Sequence, residues 1–259
     1  MSAGWWAAGY VLLLWWLSTG LILVVTGLPR RTFPTTMAWA GLMLAGALWG
    51  LVHSRNDSTP TGAYCAFSCA LLVWAWQETA FLLGIVTGPR RSICPPQARS
   101  WARARLAFLT IAHHELALVL LALAVWAAVG DGSNRVGIGT YLALWALRQS
   151  AKLNLFLGAR NLSEAFLPEH LKYLHSYFRR AALNPLLPLS LLLIGAAAGQ
   201  VGWQLAALPA GAAGVPGLAL LETLLVLGVL EHVLLVLPFN PERLWQWGLS
   251  LRQSAAARP

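Results

Sequence analysis

Charge in this chain is almost confined to short breaks between seven long apolar runs, and that pattern dictates the solvent in which it must fold. The runs cover residues 5–28, 36–53, 62–88, 106–129, 136–158, 183–207 and 218–238. A membrane-spanning helix needs about 20 mostly apolar residues, and backbone polar groups cannot stay unpaired in hydrocarbon, so each run is predicted to be helical. A transmembrane β-barrel would show alternating, not continuous, apolar patterning. Charged residues make up only 10% of the chain, against roughly 25% in soluble domains. Water could not solvate such a surface, but lipid can. The expectation is an all-α, polytopic transmembrane bundle of about seven spanning helices forming a single domain, 1–259.

The connections hold turn formers and most of the charge. Loops after the first, third, fifth and seventh runs, with the tail 239–259, carry 14 Lys and Arg, from Arg30 and Arg31 to Arg258, whereas the loops between carry only Arg55 and Arg135. Basic loops favour the cytoplasmic side. This predicts a cytoplasmic C-terminus and an N-terminus in the periplasm or its equivalent. The Met-Ser-Ala-Gly start lacks a positive segment, which argues against a cleaved signal. Net charge is +9, but no basic stripe carries base-stacking aromatics, so nucleic acid is not an expected partner. Trp5, Trp6, Trp49, Trp126 and Trp203 fall near the outer interface, and Trp39, Trp101, Trp245 and Trp247 near the inner one, as an aromatic belt would. Trp15, Trp16, Trp74, Trp76 and Trp145 lie deeper, suited to helix packing or to flanking a flat pigment. Gly46-x-x-x-Gly50 and Gly195-x-x-x-Gly199 match the spacing that lets helices approach closely, in the bundle or with a partner helix. Cys65, Cys69 and Cys94 are too few for a disulfide framework.

The segment 159–182 reads differently. Asn161 and Ser163 offer caps, Pro168 suits a first helical position, and Glu169 favours a helix N-terminus. Leu171, Leu174, Tyr177 and Phe178 then share one face. A short helix on the inner membrane surface is expected, with Glu164, Glu169, His170, Arg179 and Arg180 as a cytoplasmic docking segment; a partner protein would be an alternative cover for its apolar face.

Ionisable residues inside spanning helices are costly, roughly 2.5–3.5 kcal/mol each on insertion scales, and so have a partner or a task. Glu78, His113, His114, Glu115, Arg148, Lys152, Glu231 and His232 are such residues, and Asn154 joins them. At about 1.5 Å rise per residue, they form one layer in the inner half of the membrane. Glu222 lies farther out. Arg148 and Lys152 share a helix face, which suggests ion pairs with Glu78 and with Glu115 or Glu231. The alternative is a polar pocket for a ligand, metal or pigment. Glu78, His114, Glu115, Glu231 and His232 are competent metal ligands, yet His-His-Glu and Glu-His place neighbours about 100° apart on a helix, unlike the Glu-x-x-His spacing of di-iron bundles. No nucleophile, phosphate-loop or zincin motif is present.

Several stretches resemble the PuhE-type photosynthetic complex assembly proteins of purple bacteria. They are Leu17-Ser18-Thr19-Gly20-Leu21 through Gly27-Leu28-Pro29-Arg30-Arg31-Thr32-Phe33; Gly62-Ala63-Tyr64-Cys65 through Trp76-Gln77-Glu78 to Thr87-Gly88-Pro89-Arg90-Arg91; and Ser150-Ala151-Lys152-Leu153-Asn154 through Asn161-Leu162 and Phe166-Leu167-Pro168-Glu169-His170 to Phe178-Arg179-Arg180. His114-Glu115 and Leu230-Glu231-His232 complete the likeness, which spans positions 10–250. The family is associated with the genes of the reaction-centre H subunit. The resemblance implies a non-enzymatic assembly factor in the intracytoplasmic photosynthetic membrane. Its partners would be the lipid bilayer, reaction-centre or antenna subunits and other assembly factors, and it would handle bacteriochlorophyll or a precursor. It carries over no catalytic residues. Two rivals remain at this stage: a metalloenzyme or pigment-modifying enzyme, for which iron is the candidate metal, and a proton-coupled transporter using Glu78 and Glu231.

Overall fold

The computed structural model describes residues 2–209 and 211–256; Arg258, one of the 14 basic residues on the predicted cytoplasmic side, lies outside them. Seven long helices follow one another: α1 (Ser2–Val25), α2 (Phe33–Ser54), α3 (Pro60–Leu82), α4 (Ser100–Val129), α5 (Val136–Leu157), α6 (Leu186–Ala207) and α7 (Val215–Leu234), and a shorter α8 (Gln246–Ala256) closes the chain. There is no strand among the described residues. Six of the seven long helices are long and apolar enough to cross a membrane, so the chain is a helical membrane bundle. The exception is α5, which has the length but whose hydropathy is lowered by Arg148, Gln149, Lys152 and Asn154.

The interior is divided between two clusters. Leu51, Val73, Val125 and Tyr141 pack α2, α3, α4 and α5 together, and Val11, Phe67, Leu220 and Leu224 join α1, α3 and α7. Close approaches occur at single glycines. A Cβ on Gly228 of α7 would sit 2.4 Å from Leu147 of α5, and one on Gly20 of α1 would sit 2.0 Å from the Trp247 ring. The two predicted glycine pairs behave otherwise: Gly46, Gly195 and Gly199 face open space, and only Gly50 meets a neighbour, Cys69.

Tryptophans divide by role. Trp5, Trp6, Trp39, Trp49, Trp101, Trp126 and Trp203 are exposed on the bundle surface. Trp245, expected in the belt, is instead buried. It packs edge-on against Trp15 at 4.8 Å and donates its indole N–H to the Trp16 carbonyl. The reason is that the tail folds back: a 3₁₀ turn, Pro241–Trp245, feeds α8, which lies along the second half of α1.

Two helix ends fall short of the sequence expectation for identifiable reasons. Helix α3 stops at Leu82, not 88, because Gly84 takes a left-handed conformation (φ 77°) and its N–H turns back to the Phe81 carbonyl. The following loop presses on α4: the Thr87 carbonyl accepts from His114 N–H at 2.8 Å, and Arg90 N–H donates to the Leu109 carbonyl. Helix α7 stops at Leu234, where the Asn161 amide donates to the carbonyls of Leu234, Leu237 and Phe239 at 2.6–2.8 Å. Asn161, expected to cap its own segment, therefore closes the end of a distant helix.

The expected surface helix is also corrected. Glu169–Tyr177 is a nine-residue 3₁₀ helix. Leu171, Leu174 and Tyr177 recur every three residues, so three residues per turn stack them in one row. That row is buried against Phe81, Leu82 and Ile111. The bundle itself covers the face that was expected to meet membrane or partner.

Candidate functional site

The polar layer is built around α5, which carries a cation or amide on each of several successive turns. Arg148 reaches back to α3, with its guanidinium 3.2 Å from Glu78 Oε2. One turn on, Lys152 Nζ lies 2.5 Å from Glu115 Oε1 on α4, and Gln149 donates to the other oxygen of the same carboxylate. Arg148 and Lys152 thus tie two different helices to α5. The spacing of four residues puts both on the face that α3 and α4 share.

Neutral groups complete the layer. Gln77 and His114 are fully buried and join α3 to α4. The Gln77 amide donates to the His114 carbonyl at 3.1 Å, which identifies the amide nitrogen, so His114 Nδ1 at 2.6 Å is an acceptor and Nε2 bears the proton. The His114 imidazole is therefore neutral, in a set tautomer. His232 of α7 is held at both ring nitrogens. Its Nδ1 donates to the Gly228 carbonyl at 2.7 Å, and its Nε2 is hydrogen-bonded to the Ser150 hydroxyl of α5 at 2.8 Å. Gln77 Oε1, Glu78 Oε1, His114 Nε2, Trp145 Nε1 and Arg148 Nε are buried without a protein partner.

The remaining predicted residues lie apart. Asn154 belongs to a second network at the base of α6, where it donates to Ser190 at 3.0 Å and accepts from Asn184. Asn184 in turn accepts from the N–H groups of Leu186 and Leu187, so this pair caps α6. Glu231 is exposed beside α1 and accepts from the Trp15 indole at 2.7 Å. His113 is exposed on the outer face of α4. It is not part of the layer, because one residue along a helix turns the side chain by about 100°.

Among the described residues, no three His, Cys, Asp or Glu side chains come together as metal ligands. Glu78, His114, Glu115, Glu231 and His232, the candidate metal set, are spread over three helices and already hold different partners. Two of the carboxylates face cations, and both histidine Nδ1 atoms are engaged.

In the docking segment, Glu164 pairs with Arg180 at 2.9 Å and Glu169 with Lys172 at 2.5 Å. These four and Arg179 are exposed. His170 instead turns inward and donates Nε2–H to the Leu82 carbonyl at 3.0 Å. Sequence reading missed Gln77, Gln149, Ser150 and Asn184, because uncharged polar residues in apolar runs do not stand out as charges do. It also missed Arg103, whose guanidinium donates to the Phe156 and Tyr177 carbonyls and stacks over the Phe156 ring at 4.1 Å.

Comparison with known proteins follows the same outline. The chain is 38% identical over 258 residues to a Rhodobacter capsulatus protein described as an uncharacterized 30.4 kDa protein in the puhA 5′ region, with 96% of this chain and 92% of that one covered. No solved structure matches. A family model described as "Protein of unknown function (DUF3623)" matches residues 1–256. The chain belongs to that DUF3623 family.

Proposed function

We propose that the chain is a membrane-embedded assembly factor for the photosynthetic reaction centre–light-harvesting complex. It would hold a reaction-centre subunit, or bacteriochlorophyll destined for one, while the complex forms. The observation that carries this reading is the contrast between the inside and outside of the bundle. Inside, Glu78, Glu115, Arg148, Lys152, His114 and His232 are engaged with neighbouring helices. Outside, α2, α4 and α6 expose rows of large apolar side chains, among them Leu42, Met43, Leu116, Leu120, Leu192 and Leu193. Such a surface suits lipid and partner helices. The relative encoded beside puhA supports the photosynthetic context.

On this reading α5 is a seventh crossing, packed against α3, α4, α6 and α7 with Leu142, Leu153 and Leu157 exposed on its outer face. The arginine-rich end faces the cytoplasm and α1 begins in the periplasm. The exposed charges Glu164, Glu169, Arg179 and Arg180 and the basic loops form the docking side. The test is a clean deletion. Assembled reaction centre–antenna complex, read from near-infrared absorption of membranes, is expected to fall, and tagged full-length protein is expected to co-purify with reaction-centre or antenna polypeptides or with bacteriochlorophyll. Unchanged absorption in the deletion strain would refute the reading.

A further inference from the structure

A cavity of about 210 Å³ opens at the arginine-rich end of the bundle, away from the polar layer. It lies where the turn between α1 and α2 meets the loop after α3 and the 3₁₀ helix. Arg30, Phe33, Thr87, Arg91, His170 and Tyr173 line it. It is therefore built from three separate stretches of chain.

Its lining has one kind of chemistry. Two guanidiniums face it and no carboxylate does. The one carboxylate on the adjacent 3₁₀ helix, Glu169, is exposed and held by Lys172. Thr87 is 1% exposed, and its Oγ1 and the Tyr173 hydroxyl are buried beside each other with no further protein partner. One O–H···O bond between the two hydroxyls leaves one hydroxyl hydrogen free for an acceptor from elsewhere.

The surrounding backbone holds this arrangement in place. Gly84, in its left-handed conformation, lets the His170 ring approach: a Cβ there would lie 2.9 Å from the imidazole. The bond from His170 Nε2 to the Leu82 carbonyl then fixes the ring at the cavity wall. Thr87 is pinned by its own carbonyl, which accepts from His114 N–H of α4.

We propose that this cavity binds a phosphate group, gripped by Arg30 and Arg91 and hydrogen-bonded by the hydroxyl pair of Thr87 and Tyr173. A tetrahedral oxyanion supplies acceptors for guanidinium and hydroxyl donors at once, and Arg forks match phosphate oxygens in pairs. The volume is several times the ~30 Å³ that one water occupies in the liquid, which leaves room for a phosphoester. Its place at the end of a membrane bundle fits either the phosphodiester of a lipid headgroup or soluble phosphate. The assignment does not depend on the assembly role.

The experiment uses the full-length protein in a zwitterionic, phosphate-free detergent. Thermal unfolding is followed while inorganic phosphate is titrated in one arm and micelle-dispersed phosphatidylglycerol in the other. Wild type is expected to gain stability in at least one arm, and Arg91→Gln and Thr87→Val are each expected to weaken that response roughly tenfold. Thr87→Val keeps the side-chain shape and Arg91→Gln shortens an exposed side chain, and the ligand-free unfolding temperature of each checks the fold. A response to inorganic phosphate identifies a soluble anion; a response to phosphatidylglycerol alone identifies a headgroup. No response in either arm, or equal responses in wild type and correctly folded variants, overturns the site.

Discussion

Replacing Lys152 by Leu removes the cation that faces Glu115 at 2.5 Å and leaves the carboxylate within the bundle. The two side chains are only 20% and 16% exposed. Breaking a buried pair by deleting one partner costs about 3–5 kcal/mol, because the remaining charge is uncompensated. Two features reduce that figure here. Gln149 still donates to Glu115, and neither side chain is wholly enclosed. The expected loss is about 2–3 kcal/mol. Replacing both residues by Leu removes both charges, and buried pairs exchanged for apolar side chains are often neutral or stabilising. The double variant should therefore lie within about 1 kcal/mol of wild type. Unfolding in mixed micelles with rising sodium dodecyl sulfate, read from the fluorescence of the 14 tryptophans, gives all four corners of the cycle. Single losses below about 0.5 kcal/mol, or a double variant as unstable as the sum of the singles, would refute the claim that this pair acts as a unit.

Two further predictions follow from the ends of the helices. Asn161→Ala removes the amide that serves three carbonyls below α7 and should cost about 1–2 kcal/mol in the same unfolding assay, with Asn161→Asp costing more because a carboxylate cannot donate and repels those carbonyls. Burial, followed by Arg30, Arg252 and Arg91, holds His170 below its ordinary pKa of 6.5, against the opposing pull of the Leu82 carbonyl. The unfolded chain then takes up this proton more readily than the folded one. The resulting stability is present above pH 6.5 and declines as pH falls below it. His170→Gln should flatten that part of the stability–pH profile; an identical profile in wild type and variant would contradict the assignment.

Much of this molecule was legible from the sequence because lipid imposes few choices. Long apolar runs have to be helices, and charges within them have to find each other. The four-residue step from Arg148 to Lys152 pointed to two ion pairs. The choice between Glu115 and Glu231 was open, since both lie at similar depth and only the packing of α4 and α7 around α5 decides it. His113 and Asn154 were grouped by depth alone, and depth does not say which face of a helix a residue occupies. The segment 159–182 was harder. Its apolar residues fit a surface α-helix nearly as well as a 3₁₀ row, and only tertiary packing against the end of α3 distinguishes them. Asn161 was read as a local cap because sequence shows neighbours along the chain, not the end of a helix more than 70 residues away. The cavity at Arg30 and Arg91 draws on three stretches, and no motif announces it.

The intramembrane ion pairs tie the helices of the bundle together, and the proposed assembly role does not require their charge. The most direct measurement is complementation of a deletion strain with the Glu115→Leu/Lys152→Leu variant, reading assembled reaction centre–antenna complex by near-infrared absorption. The account predicts recovery to the level that the wild-type gene restores. A variant that accumulates in the membrane like wild type yet leaves the complex at the level of the deletion would contradict it.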